Sequence, residues 1–286
     1  MAIQKGGFPI TVGELEAILL KAFPQEDAEE WDYTGLRVGN PNQEVTGIAI
    51  ALDPTVESMK KAVEIGANVL ITHHPIFLEP PTSFLPFEKE GQTPGAAIHF
   101  ALTHGLSCMN FHTACDVSIQ GLKALPERLG LRYLNPLLPL SSSKEKGFGA
   151  VCAIESADKT QSLSFGNLAV RCYENLGVVP RMWGDENAII SSVVCCGGSA
   201  SFLLKECLNR GIDCLICGEV KYHDCLDAYK SGLFIIELGH DYSEFVLCDV
   251  FEQTLIAESV DPSSITIINQ EKNWSVPELV SRSISL

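Results

Sequence analysis

The chain has 286 residues and a formal net charge of −16. That length can hold a sizeable buried core in one large α/β domain or two linked ones. The acidic balance, with no basic run, argues against nucleic acid as a partner, because such binding draws on clustered Lys and Arg to release counterions.

The N-terminal MAIQKGGFPITVGELEAILL lacks the charged-then-apolar pattern of a signal peptide, and no apolar run reaches membrane-spanning length, so a cytoplasmic protein without a membrane partner is expected. Within it, Leu15, Ile18, Leu19 and Phe23 repeat at helical spacing after a Thr11 cap with Glu14 three residues on. EEWDYTGLRVGN then offers Trp31 and Asp32 before a turning glycine. Asp32 could orient a metal-bound histidine from behind, or only cap a turn. TGIAIALD reads as a buried strand, PTVESMKKAVEIG as a helix closed by Gly66, and ANVLITHH as the next strand, ending in His73 and His74. This alternation implies a parallel sheet with helices on its faces. In the next helix, GAAIHFALTHG, His104 complements the C-terminal end of the helix dipole and His99 carries no chemistry of its own.

The order recurs. SSVVCCGG is a strand, SASFLLKECLNRG a helix ending at Gly211, and IDCLICGE a strand. Setting AVEIGANVLITHHP beside CLNRGIDCLICGEV aligns Gly66 with Gly211 and Asn68 with Asp213. Downstream, THGLSCMNFHTACD and KSGLFIIELGHDYSE each carry Gly-Leu, an apolar strand, and a histidine followed four positions later by a carboxylate: His112 with Asp116, and His240 with Glu244. Two α/β halves of related design follow, residues 1–130 and 190–286, with mostly parallel sheets flanked by helices and a metal site between them. Residues 131–189 are read as a linker, centred on PLLPLSSSKEKG, and a middle segment holding a strand and a helix.

Ligands of an open α/β sheet gather outside the carboxyl ends of its strands, where the His pair and both HxxxD/E motifs fall. Imidazole with carboxylate suits zinc, iron or manganese rather than calcium, and one carboxylate can bridge two ions. Singly, each motif is also compatible with a carbonyl-capping His pair or a solvated helix face; their recurrence after an apolar strand in both halves favours metal. GEVKYHD occupies the place of HHPIF in the second half. Its Glu219, Lys221 and His223 could orient an anion or move protons, or could form a structural salt-bridge cluster. Cys214 and Cys217 form a lone CxxC on a strand, where positions i and i+3 face opposite ways, so both are read as core. The eleven cysteines, odd in number and mostly inside apolar runs, fit buried reduced thiols.

EEWDYTGLRVG, LITHHPIF, HTACD, VCCGGSASFL, DCLICGEVKYHDCLDA and LGHDYSE, in this order, resemble the Nif-three-like dinuclear metal-centre family, often named GTP cyclohydrolase I type 2. The resemblance is specific and spans nearly the whole chain. Departures are small: Tyr33 or Thr34 stands where the first motif usually has Asn, and the middle residues of HTACD differ. The resemblance implies two divalent metal ions per subunit (zinc, iron or manganese) held by His73, His74, Asp116, His240 and Glu244. Glu244 and Asp116 would be shared by or close to both ions, and His112 and His223 would lie near them as proton carriers. It further implies a homohexameric ring whose sites face an internal cavity. The implied activity is metal-dependent hydrolysis of a nucleotide or related heterocycle, opening the purine ring of GTP with release of formate. Against a triphosphate substrate stand the missing Walker-type loop and the scarcity of basic residues near the motifs, apart from Lys221 and Arg37. A metal-binding assembly or regulatory protein, with ions structuring the ring, is the competing expectation.

Overall fold

The computed structural model describes residues 3–5, 8–154, 163–269 and 274–275, so parts of the expected N-terminal, middle and C-terminal segments lie outside the described residues. Among the described residues no helix is long and apolar enough to cross a membrane.

Two mixed sheets organise the chain. The first has five strands, in the order Ile265–Ile267, Ile48–Ala51, Val69–Thr72, Ser107–Asn110 and Gly35–Val38, all parallel except the last. The second has six, in the order Arg181–Trp183, Phe234–Glu237, Cys214–Glu219, Ser192–Ser199, Ser143–Ile154 and Leu131–Leu140. Its three middle strands, Phe234–Glu237, Cys214–Glu219 and Ser192–Ser199, are mutually parallel, while the flanking strands run antiparallel. The α/β class with parallel sheet cores and flanking helices is as the sequence predicts.

Both sheets are covered on both faces, which is why their parallel strands are apolar without alternation. On the first sheet, Ile48, Ile50, Val69 and Ile71 pack with Leu15 and Leu19 of the helix Val12–Ala22 and with Phe251 and Leu255 of the helix Val246–Ala257. The opposite face sets Ala49, Ala51 and Leu70 against the helices Val56–Glu64 and Pro94–Thr103. On the second sheet, Val193, Cys214 and Ile216 meet the helices Ile119–Arg128 and Phe165–Leu176, and Val194, Leu215 and Cys217 meet the helices Leu204–Asn209 and Tyr222–Lys230. Cys214 and Cys217 thus belong to cores on opposite faces of one strand, too far apart in direction for a shared ion. The Thr11 capping box with Glu14 forms as read, with Thr11 N donating to Glu14 Oε2 at 2.8 Å.

Two features differ from the sequence reading. The stretch expected as a linker is instead a β-hairpin, Leu131–Leu140 with Ser143–Ile154, that completes the second sheet. Its prolines and charges occupy a long edge, where a missing N–H and exposed polar groups are tolerated. The chain also returns after Glu244: the helix Val246–Ala257 and the strand Ile265–Ile267 join the first half. Val246 lies in the core of the second sheet and Leu247 in that of the first, so one helix start bridges both cores and holds the halves together.

An ion pair fixes the second sheet next to the site. Glu237, buried at the end of its strand, accepts from Arg181, from Trp183 Nε1 at 2.7 Å and from Val220 N at 3.1 Å. Burial alone would raise its carboxyl pKa, but Arg181, Trp183 and the Val220 amide outweigh burial and hold it below the ordinary 4.5. Because the folded value is depressed, this stabilisation is present above pH 4.5 and fades as the pH falls through the lowered value. Glu237→Gln is expected to cost about 1–3 kcal/mol at pH 7, with the gap to wild type closing in acid. Urea unfolding from neutral to acidic pH measures both.

Candidate metal centre

Carboxyl ends of parallel strands from both sheets face one crevice, and three strands of the first sheet and two of the second deliver polar side chains to it. His73 and His74 follow Val69–Thr72, and Asp53 follows Ile48–Ala51. His112 follows Ser107–Asn110 and precedes the short helix Thr113–Asp116. From the second sheet, Glu219 ends Cys214–Glu219, and His240 opens the helix His240–Glu244 just beyond Phe234–Glu237.

Glu244 is the hub. Its carboxylate, 4% exposed, lies 3.0 Å from His74 Nε2, 3.1 Å from His240 Nε2 and 3.8 Å from His73 Nε2. Asp116 Oδ1 lies 3.6 Å from His73 Nε2. His112 completes the group, its ring centroid 5.0 Å from that of His73 and 5.6 Å from that of His74. Three overlapping sets each bring one donor atom per residue within 4.8 Å of one another: His73, His74 and His112; His74, His240 and Glu244; His73, Asp116 and Glu244.

These donors fit a metal better than one another. Both ring nitrogens of the fully buried His73, and Glu244 Oε2, make no hydrogen bond among the described residues. Each such buried atom costs about 1–3 kcal/mol if nothing satisfies it. The short approaches to Glu244 Oε2 lack hydrogen-bond direction, as expected of side chains aimed at a common point between them. Imidazole with carboxylate is a donor set for zinc, iron or manganese.

Backbone shape makes room for this hub. A Cβ on Gly198, whose φ is +60°, would stand 2.1 Å from Glu244 Oε1, and one on Gly197 would stand 2.9 Å from Glu244 Cγ. The glycine pair of VCCGGS therefore lets the strand Ser192–Ser199 pass directly against the carboxylate.

The model of the Duf34/NIF3 (NGG1p interacting factor 3) family matches residues 10–273. The chain belongs to that family. A Streptomyces coelicolor relative named GTP cyclohydrolase 1 type 2 homolog is 30% identical over 84% of this chain and 83% of its own. A Helicobacter pylori relative named GTP cyclohydrolase 1 type 2 is 28% identical over 82% of this chain and 86% of its own. In fold, the chain is similar to a Staphylococcus aureus hypothetical protein, with TM-score 0.82 at 23% identity, covering 94% of this chain and all of the other. A Bacillus cereus protein related to NIF3 has TM-score 0.81 at 18% identity, covering 94% and 99%.

Within this NIF3-family chain the structure brings together His73, His74, His112, Asp116, His240 and Glu244. It does not bring His223 with them. That histidine is exposed on the helix Tyr222–Lys230, its ring 5.3 Å from Tyr222, so it is not positioned as a proton carrier for the cluster. The GEVKYHD group divides: Glu219 Oε1 reaches His240 Nδ1 at 3.1 Å, while Lys221 and His223 face solvent. The i, i+4 spacing closes a direct contact only in the second half, His240 to Glu244; in the first half Asp116 meets His73 rather than His112. His104 caps its own helix, its Nδ1 2.9 Å from Phe100 O.

Asp32, read as a support for a histidine or a turn cap, instead ties its loop to the start of the helix Thr113–Asp116. Its Oδ2 accepts from Thr113 N at 2.9 Å and Thr113 Oγ1 at 2.6 Å, and lies 3.7 Å from His112 Nδ1. Burial would raise its pKa, yet His112 and Thr113 hold it below the ordinary value.

Asp53 was not singled out from sequence. Its Oδ1 lies 2.6 Å from His74 Nδ1. The signal available was its position, a carboxylate immediately beyond a fully buried parallel strand. An Nδ1–H donated to Asp53 leaves the His74 Nε2 lone pair facing the cluster, and Glu219 sets His240 in the same way. Asp53→Asn is therefore expected to weaken zinc affinity about 10–100-fold with the far-ultraviolet circular dichroism unchanged; competition with a chromophoric chelator measures it.

Charge governs uptake. Burial disfavours charge on His74, but contacts to Asp53 and Glu244 prevail and lift its pKa to about 10; Glu244, against the lesser opposition of burial, lifts His240 to about 9. In the metal-free chain these raised values stabilise the fold fully below the ordinary 6.5, a contribution lost as pH rises through 9 and 10. Binding a metal requires both imidazoles neutral, so uptake at pH 7 releases protons and affinity climbs with pH up to that range. Calorimetric zinc titrations in buffers of different ionisation enthalpy should register the release.

Proposed function

We propose that this protein binds two divalent metal ions and is a metal-dependent hydrolase that opens a cyclic C–N bond of a nucleotide or related heterocycle. The observation that carries the reading is the overlap of the donor sets: His73, His74 and Glu244 each belong to two of the three. Shared membership is the arrangement that two adjacent ions with common ligands require. Support also comes from the name of the Helicobacter pylori relative, GTP cyclohydrolase 1 type 2.

Divalent ions held there supply Lewis acidity, which acidifies water toward neutrality and polarises the carbon of a C–N bond. The chain's own residues do the rest. Glu244 joins the two halves of the donor set, and Asp116 and His73 complete its buried side. Asp53 and Glu219 fix the rotation of His74 and His240. His112 is the one histidine of the cluster that belongs to no donor set with Glu244, and it borders the adjoining cavity, so it is the group placed to carry a proton to or from a bound molecule. Asp32 stands behind it, its Oδ2 3.7 Å from His112 Nδ1.

Metal content per protomer by plasma mass spectrometry, with turnover of GTP, other nucleotides and cyclic amides assayed on the same samples, tests the reading. Wild type is expected to hold about two ions, and Glu244→Gln to lose them together with about 100-fold or more of the turnover. Ions without hydrolysis of any substrate would remove the enzyme reading, and wild type without ions would remove the site.

A further inference from the structure

Beside the cluster lies a cavity of about 610 Å³, a size typical of small-molecule sites, which span about 300–1,000 Å³. One end is polar, formed by His112, Asp116, His240 and Glu244. The remaining wall is mostly apolar, built by Leu122 and Leu125 from the helix Ile119–Arg128, Leu138 and Phe148 from the hairpin, Phe202, and Val246 from the bridging helix. Its polar members are Glu29, Thr113, Ser199 and Ser243. Phe148 and Phe202 meet nearly edge-on, at 88° with centroids 5.4 Å apart, and form a corner against which a flat ring can pack.

Among the fixed charges of the lining, carboxylates prevail, and the imidazoles there are committed to the cluster. Glu29 lies on the lining with Asp116 and Glu244, and no Lys or Arg does among the described residues. Lys146, two residues from Phe148, is already engaged by Asp27. Ions at the cluster could attract a single anionic group, but the rest of a triphosphate would be stripped of water against Leu and Phe side chains with no cation to replace it.

Taking the cluster as the reactive centre proposed above, we infer that the cavity selects an uncharged, largely apolar cyclic molecule with one carbonyl or amide edge, and excludes nucleoside triphosphates. The polar edge faces the imidazoles and carboxylates, and the ring body fills the Leu and Phe wall. This narrows the substrate class to a heterocycle without a phosphate chain.

Isothermal titration of the full chain, zinc-loaded and metal-free, with oxindole, phthalimide, carbostyril and GTP tests the inference. At least one lactam or imide is expected to bind the loaded protein about tenfold or more tighter than GTP, and Phe202→Ala, a change at a half-exposed ring, to weaken it about tenfold with zinc content unchanged. GTP binding as tightly as all three cyclic amides, no binding by any of them, or binding indifferent to Phe202→Ala would each overturn it. The two readings fail separately. A chain that takes up no zinc yet binds a cyclic amide in a Phe202-dependent way keeps the cavity assignment and loses the metal hydrolase; a zinc-loaded chain that binds none keeps the metal site and loses this inference.

Discussion

A buried carboxylate surrounded by imidazoles is the constraint around which the molecule is arranged. Glu244, 4% exposed, is closed in by His74, His240 and His73, and its pKa stays well below the ordinary value because their attraction outweighs the burial that would raise it. Removing a charge from water costs several kcal/mol even after relaxation, so such a group persists only where its surroundings are built for it. The surroundings here come from distant parts of the chain: a glycine pair that lets a strand pass against the carboxylate, and a helix start that continues from Glu244 into both hydrophobic cores.

That helix start explains how two sheets make one site. Val246 is packed under the second sheet and Leu247 under the first, two and three residues beyond the hub. Any rotation of one half against the other would have to break both packings and pull Glu244 from the histidines of the first half. The interface thereby acts as the frame of the donor set, and the carboxylates Asp53 and Glu219, one from each sheet, orient His74 and His240 from behind in matching fashion. The recurrence of sequence between the halves is repeated at this level, as strand end, histidine and supporting carboxylate.

The hairpin Leu131–Leu140 with Ser143–Ile154 ties architecture to selectivity. By completing the second sheet it brings Leu138 and Phe148 to the cavity beside the cluster, and together with Leu122, Leu125 and Phe202 it makes most of the wall away from the donor end apolar. A chain with net charge −16 whose cavity is lined by Glu29, Asp116 and Glu244 and by no Lys or Arg among the described residues presents a poor electrostatic landing place for polyanions.

The sequence by itself determined the local units. Apolar runs broken at glycines marked the parallel strands, Thr11 with Glu14 marked a helix start, and the histidines and carboxylates placed just past strand ends marked the candidate cluster, because period, caps and strand termini are written in consecutive residues. Only the tertiary structure decided what depends on distant partners. Pro136 and the charges of SSSKEK read as a linker, since local composition cannot register the strand that pairs beside them. Asp53 looked like any strand-end acid until His74 lay 2.6 Å away, and His223, one turn beyond the Glu219 that does reach the site, points to solvent because the helix it rides buries Cys225 and Ala228 instead. Which face of a helix turns inward, and which strand closes an edge, is set by packing between segments far apart in the chain, and no single stretch of residues carries that information.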